Sequence, residues 1–230
     1  MTKQTQSVED YLKAIYQITL YEERASTNKL ASYLSVTPAS VTGMLKKLSK
    51  NDPPLVEYEK HRGVALTEPG EKIALETIRH HRLLELFLHD ILGYPWDEVD
   101  EEAEHLEHVI SEKFEKRIAS VLGDPVLDPH GHPIPKEDLT LPVVSTTRLS
   151  ELKTGQSAVI ARVSDSDASM LRYLGRLGLY PGTPITVIEY TELDGNLHLK
   201  IGKSDKISVL GLAITEKIFV DLAPDKNNKD

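Results

Sequence analysis

The chain has 230 residues, with 27 Lys and Arg against 36 Asp and Glu, nine His and no Cys, for a formal charge of −9. With 40% hydrophobic and 27% charged residues this is ordinary globular composition, long enough for one large domain or two to three small ones. The missing Cys excludes disulfide scaffolds, thiolate zinc sites and cysteine nucleophiles, and no apolar run approaches the ~20 residues of a membrane span. MTKQTQSVED lacks an apolar signal segment, so a cytoplasmic protein with no membrane partner is expected. An acidic balance argues at first sight against nucleic acid, but the charge is uneven. Residues 1–70 net +1, residues 71–123 net −7 and the remainder −3.

Ser7 precedes a run with apolar residues at Val8, Tyr11, Leu12, Ile15, Ile18 and Leu20, which is helical spacing with Ser7 as N-cap. Leu30, Ala31 and Leu34 line a short helix. Thr37 and Pro38 then read as N-cap and first turn of another, with Val41, Leu45 and Leu48 on its apolar face. LVEYEKHRGVALT reads as a two-stranded wing around Arg62-Gly63, which completes a winged helix-turn-helix. Pro69-Gly70 opens a long helical pattern through Leu92, and a very acidic helix is expected from about Asp97 to Leu122. GDPVLDPHGHPIPKEDLTLP has no periodicity and reads as a linker. SAVIARV, TPITVIEYT, NLHLKIG, KISVLG and KIFVDLA are short strands, interrupted by one helical piece, ASMLRYLGRLG, and together they suggest a small barrel. The expected architecture is multi-domain α+β. A winged helix-turn-helix covers 1–70, an all-α dimerisation domain with its Pro-rich linker 71–145, a small β-barrel 146–225, and a polar tail 226–230.

Two constellations carry chemistry. At the start of the second helix of the helix-turn-helix, Thr37, Pro38, Ala39, Ser40 and Thr42 are small enough for the backbone to lie close to base edges in a major groove. Lys46, Lys47, Lys50, Lys60 and Arg62 are placed to meet phosphates, which position the protein without reading sequence. The alternative is a helix-turn-helix used only for packing or protein contact. In the acidic segment Asp100, Glu104 and His108 are spaced by four and share a helix face, with Glu107 beside them. His81 and Glu85 form a similar pair on the preceding helix. A solvated acidic face is the bland reading. Two ligand pairs on neighbouring helices favour a divalent ion, and oxygen and imidazole donors without sulfur suit Mn²⁺.

A winged helix followed by HRLLELFLHDILG and EEAEHLEHVISEKFEKRI resembles the DtxR/MntR family of metal-dependent transcriptional repressors, as do DPHGHPIP and DSDASMLRYLGRLGLYPGTPI. The resemblance implies that the C-terminal barrel is SH3-like (FeoA-like). It also implies a non-enzymatic Mn²⁺-activated repressor of metal homeostasis and uptake genes, binding a palindromic double-stranded DNA operator as a homodimer. The family's primary site falls on Asp10, Glu104, Glu107 and His108. Its ancillary site falls on His81, Glu85 and Asp100, with Asp165 or Asp167 from the C-terminal domain, giving one or two ions per chain. Iron-responsive members carry Met and Cys where Asp10 and Glu104 stand, so manganese ranks ahead of Fe²⁺. Lys13 stands where binuclear manganese members carry Glu. The competing readings are an Fe²⁺-responsive member, a winged-helix regulator of an organic ligand with the acidic helix merely solvated, and a metal-dependent hydrolase. The last leaves the helix-turn-helix unexplained and shows no separate general base.

Overall fold

The structure, a computed structural model, describes residues 5–204 and 206–223. The expected polar tail lies outside the described residues. Among the described residues no helix is long and apolar enough to cross a membrane. The chain gathers into two compact units. One holds residues 1–81, 104–115 and 135–140, and the other 82–103, 116–134 and 141–230. The middle segment is thus shared between the units.

In the first unit, α1 (Gln6–Thr19), α2 (Thr27–Tyr33) and α3 (Pro38–Leu48) precede a hairpin of β1 (Val56–Glu59) and β2 (Gly63–Leu66). The helical spacing read in the sequence buries Val8, Tyr11, Leu12, Ile15 and Ile18 of α1 against Leu30 of α2 and Val41, Leu45 and Leu48 of α3. Leu20, expected on that face, is 51% exposed because α1 ends at Thr19. The α1 N-cap is Thr5 rather than Ser7, and its side chain makes no capping bond. Thr37 caps α3 as expected, with Pro38 in the first turn. The wing pairs Val56 with Leu66 through Glu59 with Gly63. Gly63 has φ +94°, and a Cβ there would stand 2.6 Å from the Ala25 carbonyl oxygen, so the wing's approach to the residues before α2 requires glycine.

The long helix α4 (Glu68–Asp90) runs through the boundary between the units. The acidic segment departs from expectation. It is not one helix but two, α5 (Val99–Leu106) and α6 (Glu112–Val121). After Leu106 the amides of Val109 and Ile110 both turn back onto the Leu106 carbonyl, at 3.0 and 3.3 Å. Ser111 Oγ then accepts the Phe114 amide and starts α6. Glu107 and His108 therefore sit in a turn, and the expected stacking of Asp100, Glu104 and His108 on one helix face stops at Glu104.

In the second unit, β3 (Ser157–Val163), β4 (Pro184–Thr191), β5 (Asn196–Ile201), β6 (Ile207–Leu210) and β7 (Ile218–Leu222) form a sheet in the order β6-β5-β4-β3-β7, antiparallel throughout. α7 (Ala168–Leu177) supplies Met170, Leu171 and Leu174 to its core. Alternation on β5 sends Leu197, Leu199 and Ile201 inward. Among the described residues no strand pairing closes this sheet into the expected barrel. The outer edge of β7 is taken instead by the segment before β3: the Val220 amide bonds the Thr147 carbonyl at 2.9 Å, and Arg148 bridges Phe219. Beyond β6, Gly211 leads straight into α8 (Leu212–Thr215).

The Pro-rich segment is no loose linker. Asp128, His130, Gly131, Pro133, Ile134 and Pro135 are buried. Asp128 Oδ1 accepts the amides of His130 and His132 at 2.8 and 2.9 Å, a local turn that fixes the backbone without helix or strand. The His130 carbonyl accepts the Val163 amide at 2.9 Å. A Cβ on Gly131 would meet the Ala161 carbonyl oxygen at 2.1 Å.

Candidate metal centre

The first unit brings Asp10, Glu104, Glu107 and His108 together, their ligand-type atoms all within 4.8 Å of one another. α1 supplies Asp10, the end of α5 supplies Glu104, and the turn after Leu106 supplies the buried Glu107 and His108. His108 Nε2 lies 2.8 Å from Asp10 Oδ1 and 3.2 Å from Glu107 Oε1. These three atoms are buried, and among the described residues none makes a hydrogen bond despite the short distances. Buried polar atoms are nearly always bonded. A convergence of three donor atoms lacking hydrogen-bond geometry fits a cation between them.

Lys13 sits one turn beyond Glu9 and Asp10 on α1. Its Nζ bonds Glu104 Oε2 and Glu107 Oε2, both at 2.7 Å, and His81 Nδ1 at 3.1 Å. His81 Nδ1 also lies 2.6 Å from Glu107 Oε2, so His81 belongs to this cluster. Burial would lower the Lys13 pKa, but Glu107 and Glu104 outweigh it and hold the ammonium above its usual value. Burial would raise Glu107, and the bonds from His81 and Lys13 pull it below the usual carboxylate range. His108 is likewise disfavoured as a cation by burial, yet Asp10, Glu9 and Glu107 lift it to about 9.

A second cluster lies wholly in the second unit. Glu85 on α4, His130 in the Pro-rich turn and Asp165 after β3 offer ligand atoms within 4.8 Å of one another, as do Asp128, His130 and His132. His130 Nδ1 is 3.3 Å from Glu85 Oε1, and its Nε2 is 2.7 Å from the Trp96 carbonyl oxygen. His132 Nδ1 lies 3.3 Å from both Asp128 Oδ2 and Asp165 Oδ2. His130 Nδ1, His132 Nδ1 and Asp128 Oδ2 are buried and make no hydrogen bond among the described residues. Burial opposes the charge on His130, but Glu85, Asp128 and Asp165 raise it to about 9. Burial also opposes ionisation of Asp128, while His132, Arg82 and His130 hold it well below the usual carboxylate range.

Glu85 and Asp165 gather around His130. Asp167 instead caps α7, its Oδ1 accepting the Ser169 and Met170 amides at 2.8 and 3.2 Å. His81 falls in the first unit and Asp100 in the second. The sequence reading missed Asp128, His130 and His132 as donors. Their signal was the alternation Asp-x-His-x-His inside DPHGHPIP, which a helical template cannot find. It missed Glu9 as well, whose Oε2 lies 2.6 Å from His108 Nδ1.

In the winged helix, Thr37, Pro38, Ala39 and Ser40 are exposed along the start of α3, with Thr42 half-buried. The Thr42 hydroxyl donates to the Pro38 carbonyl at 2.9 Å. Lys46, Lys47, Lys50 and Lys60 are exposed. Arg62 is also exposed, and pairs with Glu59 at 2.7 Å.

The fold thus defines a winged-helix DNA-binding protein carrying an acidic centre on its first helix. Three family models match in chain order. The iron-dependent repressor N-terminal DNA-binding domain covers 3–64, the iron-dependent repressor metal-binding and dimerisation domain 67–136, and the FeoA domain 147–222. The iron-dependent repressor IdeR of Mycobacterium tuberculosis is 30% identical over 207 residues, 81% of this chain and 86% of that protein. The HTH-type transcriptional regulator MntR of Bacillus subtilis is 36% identical over 118 residues, 51% of this chain and 81% of that protein. A solved manganese-dependent transcriptional repressor in complex with manganese superposes with a TM-score of 0.87 at 36% identity, covering 94% of this chain and all of that one. The chain belongs to the iron-dependent repressor family of metal-dependent, DNA-binding transcriptional regulators.

Proposed function

We propose that this protein is a manganese-activated repressor of metal-uptake and homeostasis genes, acting as a homodimer on a palindromic operator. The observation that carries the reading is the close approach of Asp10 Oδ1 and Glu107 Oε1 to His108 Nε2, all three buried and without hydrogen bonds among the described residues. With Glu104 they form an all-oxygen-and-imidazole donor set, which suits Mn²⁺ better than a softer ion. When bound, the ion supplies positive charge that offsets carboxylate repulsion and binds α1 to the turn after α5.

The residues themselves transmit the signal. Asp10 is two residues before Leu12, which packs in the core with Leu45 and Leu48 of α3. Any restraint on α1 is therefore a restraint on the recognition helix. In a symmetric dimer, two recognition helices held this way match two half-sites, and metal shifts the population toward that arrangement. Lys13 already supplies one fixed positive charge to Glu104 and Glu107, which favours a single divalent ion at this centre. A second ion is assigned to Glu85, His130 and Asp165, with Asp128 and His132 at hand. The C-terminal domain is read as an SH3-like module whose Asp165 contributes to that second centre.

Gel-shift titrations of operator DNA across Mn²⁺, Fe²⁺, Co²⁺ and Zn²⁺ at buffered free-ion levels test the reading. Mn²⁺ is expected to activate binding and a chelator to reverse it. Operator binding indifferent to every metal would sink it in favour of an organic-ligand regulator.

A further inference from the structure

α1 presents two consecutive carboxylates, and both reach the same imidazole. Asp10 Oδ1 lies 2.8 Å from His108 Nε2, and Glu9 Oε2 lies 2.6 Å from His108 Nδ1. The two contacts differ in kind. The Glu9 contact has hydrogen-bond geometry. Nε2 and Asp10 Oδ1 are buried atoms that make no hydrogen bond among the described residues. A neutral imidazole carries one N–H and one lone pair, and the partner of one nitrogen decides which it has. A carboxylate can only accept, so the Glu9 side calls for N–H at Nδ1. The lone pair is then at Nε2, directed at the cluster of Asp10 and Glu107.

We propose that Glu9 is a positioning residue of the metal centre: it accepts the His108 Nδ1–H, fixes the tautomer and ring orientation, and so aims Nε2 at a divalent cation. This rests on the reading of Asp10, Glu104, Glu107 and His108 as ligands. A carboxylate behind a ligating imidazole raises the basicity of the ligand, and removing such a partner typically weakens metal binding by about 10- to 100-fold. Glu9 also makes α1 sensitive to the centre twice, through the Asp10 carboxylate directly and through His108.

A rival role for Glu9 is an acidic residue in the first turn of α1, favourable at a helix N-terminus through its charge alone. Glu9→Gln separates the two, since its amide oxygen still accepts a hydrogen bond but the charge is gone. Mn²⁺ isotherms followed by electron paramagnetic resonance of free Mn²⁺ are measured on the full chain and on Glu9→Ala, Glu9→Gln and Asp10→Ala, alongside metal-free melting. Glu9→Ala is expected to weaken the tightest step by about 10- to 100-fold, and Glu9→Gln to recover at least half of that loss on a logarithmic scale. Wild-type binding by Glu9→Ala, with Asp10→Ala impaired, overturns the role of Glu9 alone. Equal losses in Glu9→Ala and Glu9→Gln assign Glu9 to charge at the helix terminus and also overturn it. Unimpaired Asp10→Ala overturns the reading of the centre itself. Should Glu9→Ala not fold, cadmium–nitrogen coupling in the imidazole NMR spectrum of the wild-type and Glu9→Gln proteins decides the question. Coupling at Nε2 supports the proposal, and coupling at Nδ1 overturns it.

Discussion

The two clusters use the same donor types but are built differently. The first takes Asp10 from a helix that is also the spine of the winged helix, and closes on a short turn carrying Glu107 and His108. The second takes most of its donors from one local turn, in which Asp128 bonds the backbone of His130 and His132, and borrows Glu85 and Asp165 from elsewhere. A centre anchored on α1 is suited to move the reading head. A centre anchored on a buried strap is suited to hold a domain together. The comparison predicts that the first governs DNA binding and the second governs stability of the second unit.

The largest expected effect is at Asp10. Asp10→Ala should leave the winged helix folded, because Asp10 is not a core residue, and should abolish Mn²⁺-dependent retardation of operator DNA. Normal activation in that variant would erase the proposed division of labour. Next is pH. In the metal-free protein His108 holds a proton up to about pH 9, against an ordinary value of 6.5. Ligation at Nε2 requires that proton to leave. Mn²⁺ affinity of the first centre should therefore rise with pH, by up to about tenfold per unit, and level off near pH 9. The raised value has a second consequence in the absence of metal. The stability that protonated His108 contributes is complete below pH 6.5 and lost as pH climbs to about 9. Isotherms at a series of pH values, and metal-free melts over the same range, check both signs.

Asp165→Asn should act on the other centre. The stoichiometry should fall from two Mn²⁺ to one per chain by equilibrium dialysis, with melting of the metal-loaded protein lowered and metal-activated operator binding retained. A loss of activation as complete as that of Asp10→Ala would collapse the comparison. The smallest effect belongs to the interface. Lys47→Ala should weaken binding to all DNA sequences alike and lower the salt dependence, log K against log salt, by about one unit of slope. Fluorescence anisotropy with operator and scrambled duplexes at several salt concentrations reads both.

The winged helix was legible because its signals are local and periodic. Val8, Leu12 and Ile15 mark a helix face, Thr37-Pro38 marks a helix start, and Arg62-Gly63 marks a turn. The first centre was legible in composition but not in geometry. The spacing of Asp100, Glu104 and His108 suggested one helix face, whereas the chain leaves the helix after Leu106, and tertiary contacts to α1 outweigh the helical period. That α1 supplies Asp10 came from family resemblance, since no local pattern links residues so far apart in sequence. The second centre was half legible. Glu85 and Asp165 were named, but His130 sits in a segment whose prolines and glycines read as linker. Its structure comes from side chain-to-backbone bonds, which leave no hydrophobic period. Closure of the sheet was also beyond the sequence, because competition for the β7 edge by Thr147 and Arg148 is a pairing choice between segments far apart.

The break after Leu106 has a consequence for anyone improving this protein. Residues 107–111 lie between two helices and invite replacement by stronger helix formers that would fuse α5 to α6. Such a change would carry Glu107 and His108 around a helical cylinder, away from Asp10. The fused protein would gain regular structure and lose its response to metal. Here a flaw in the helix is the instrument, and a sturdier chain would be a deaf one.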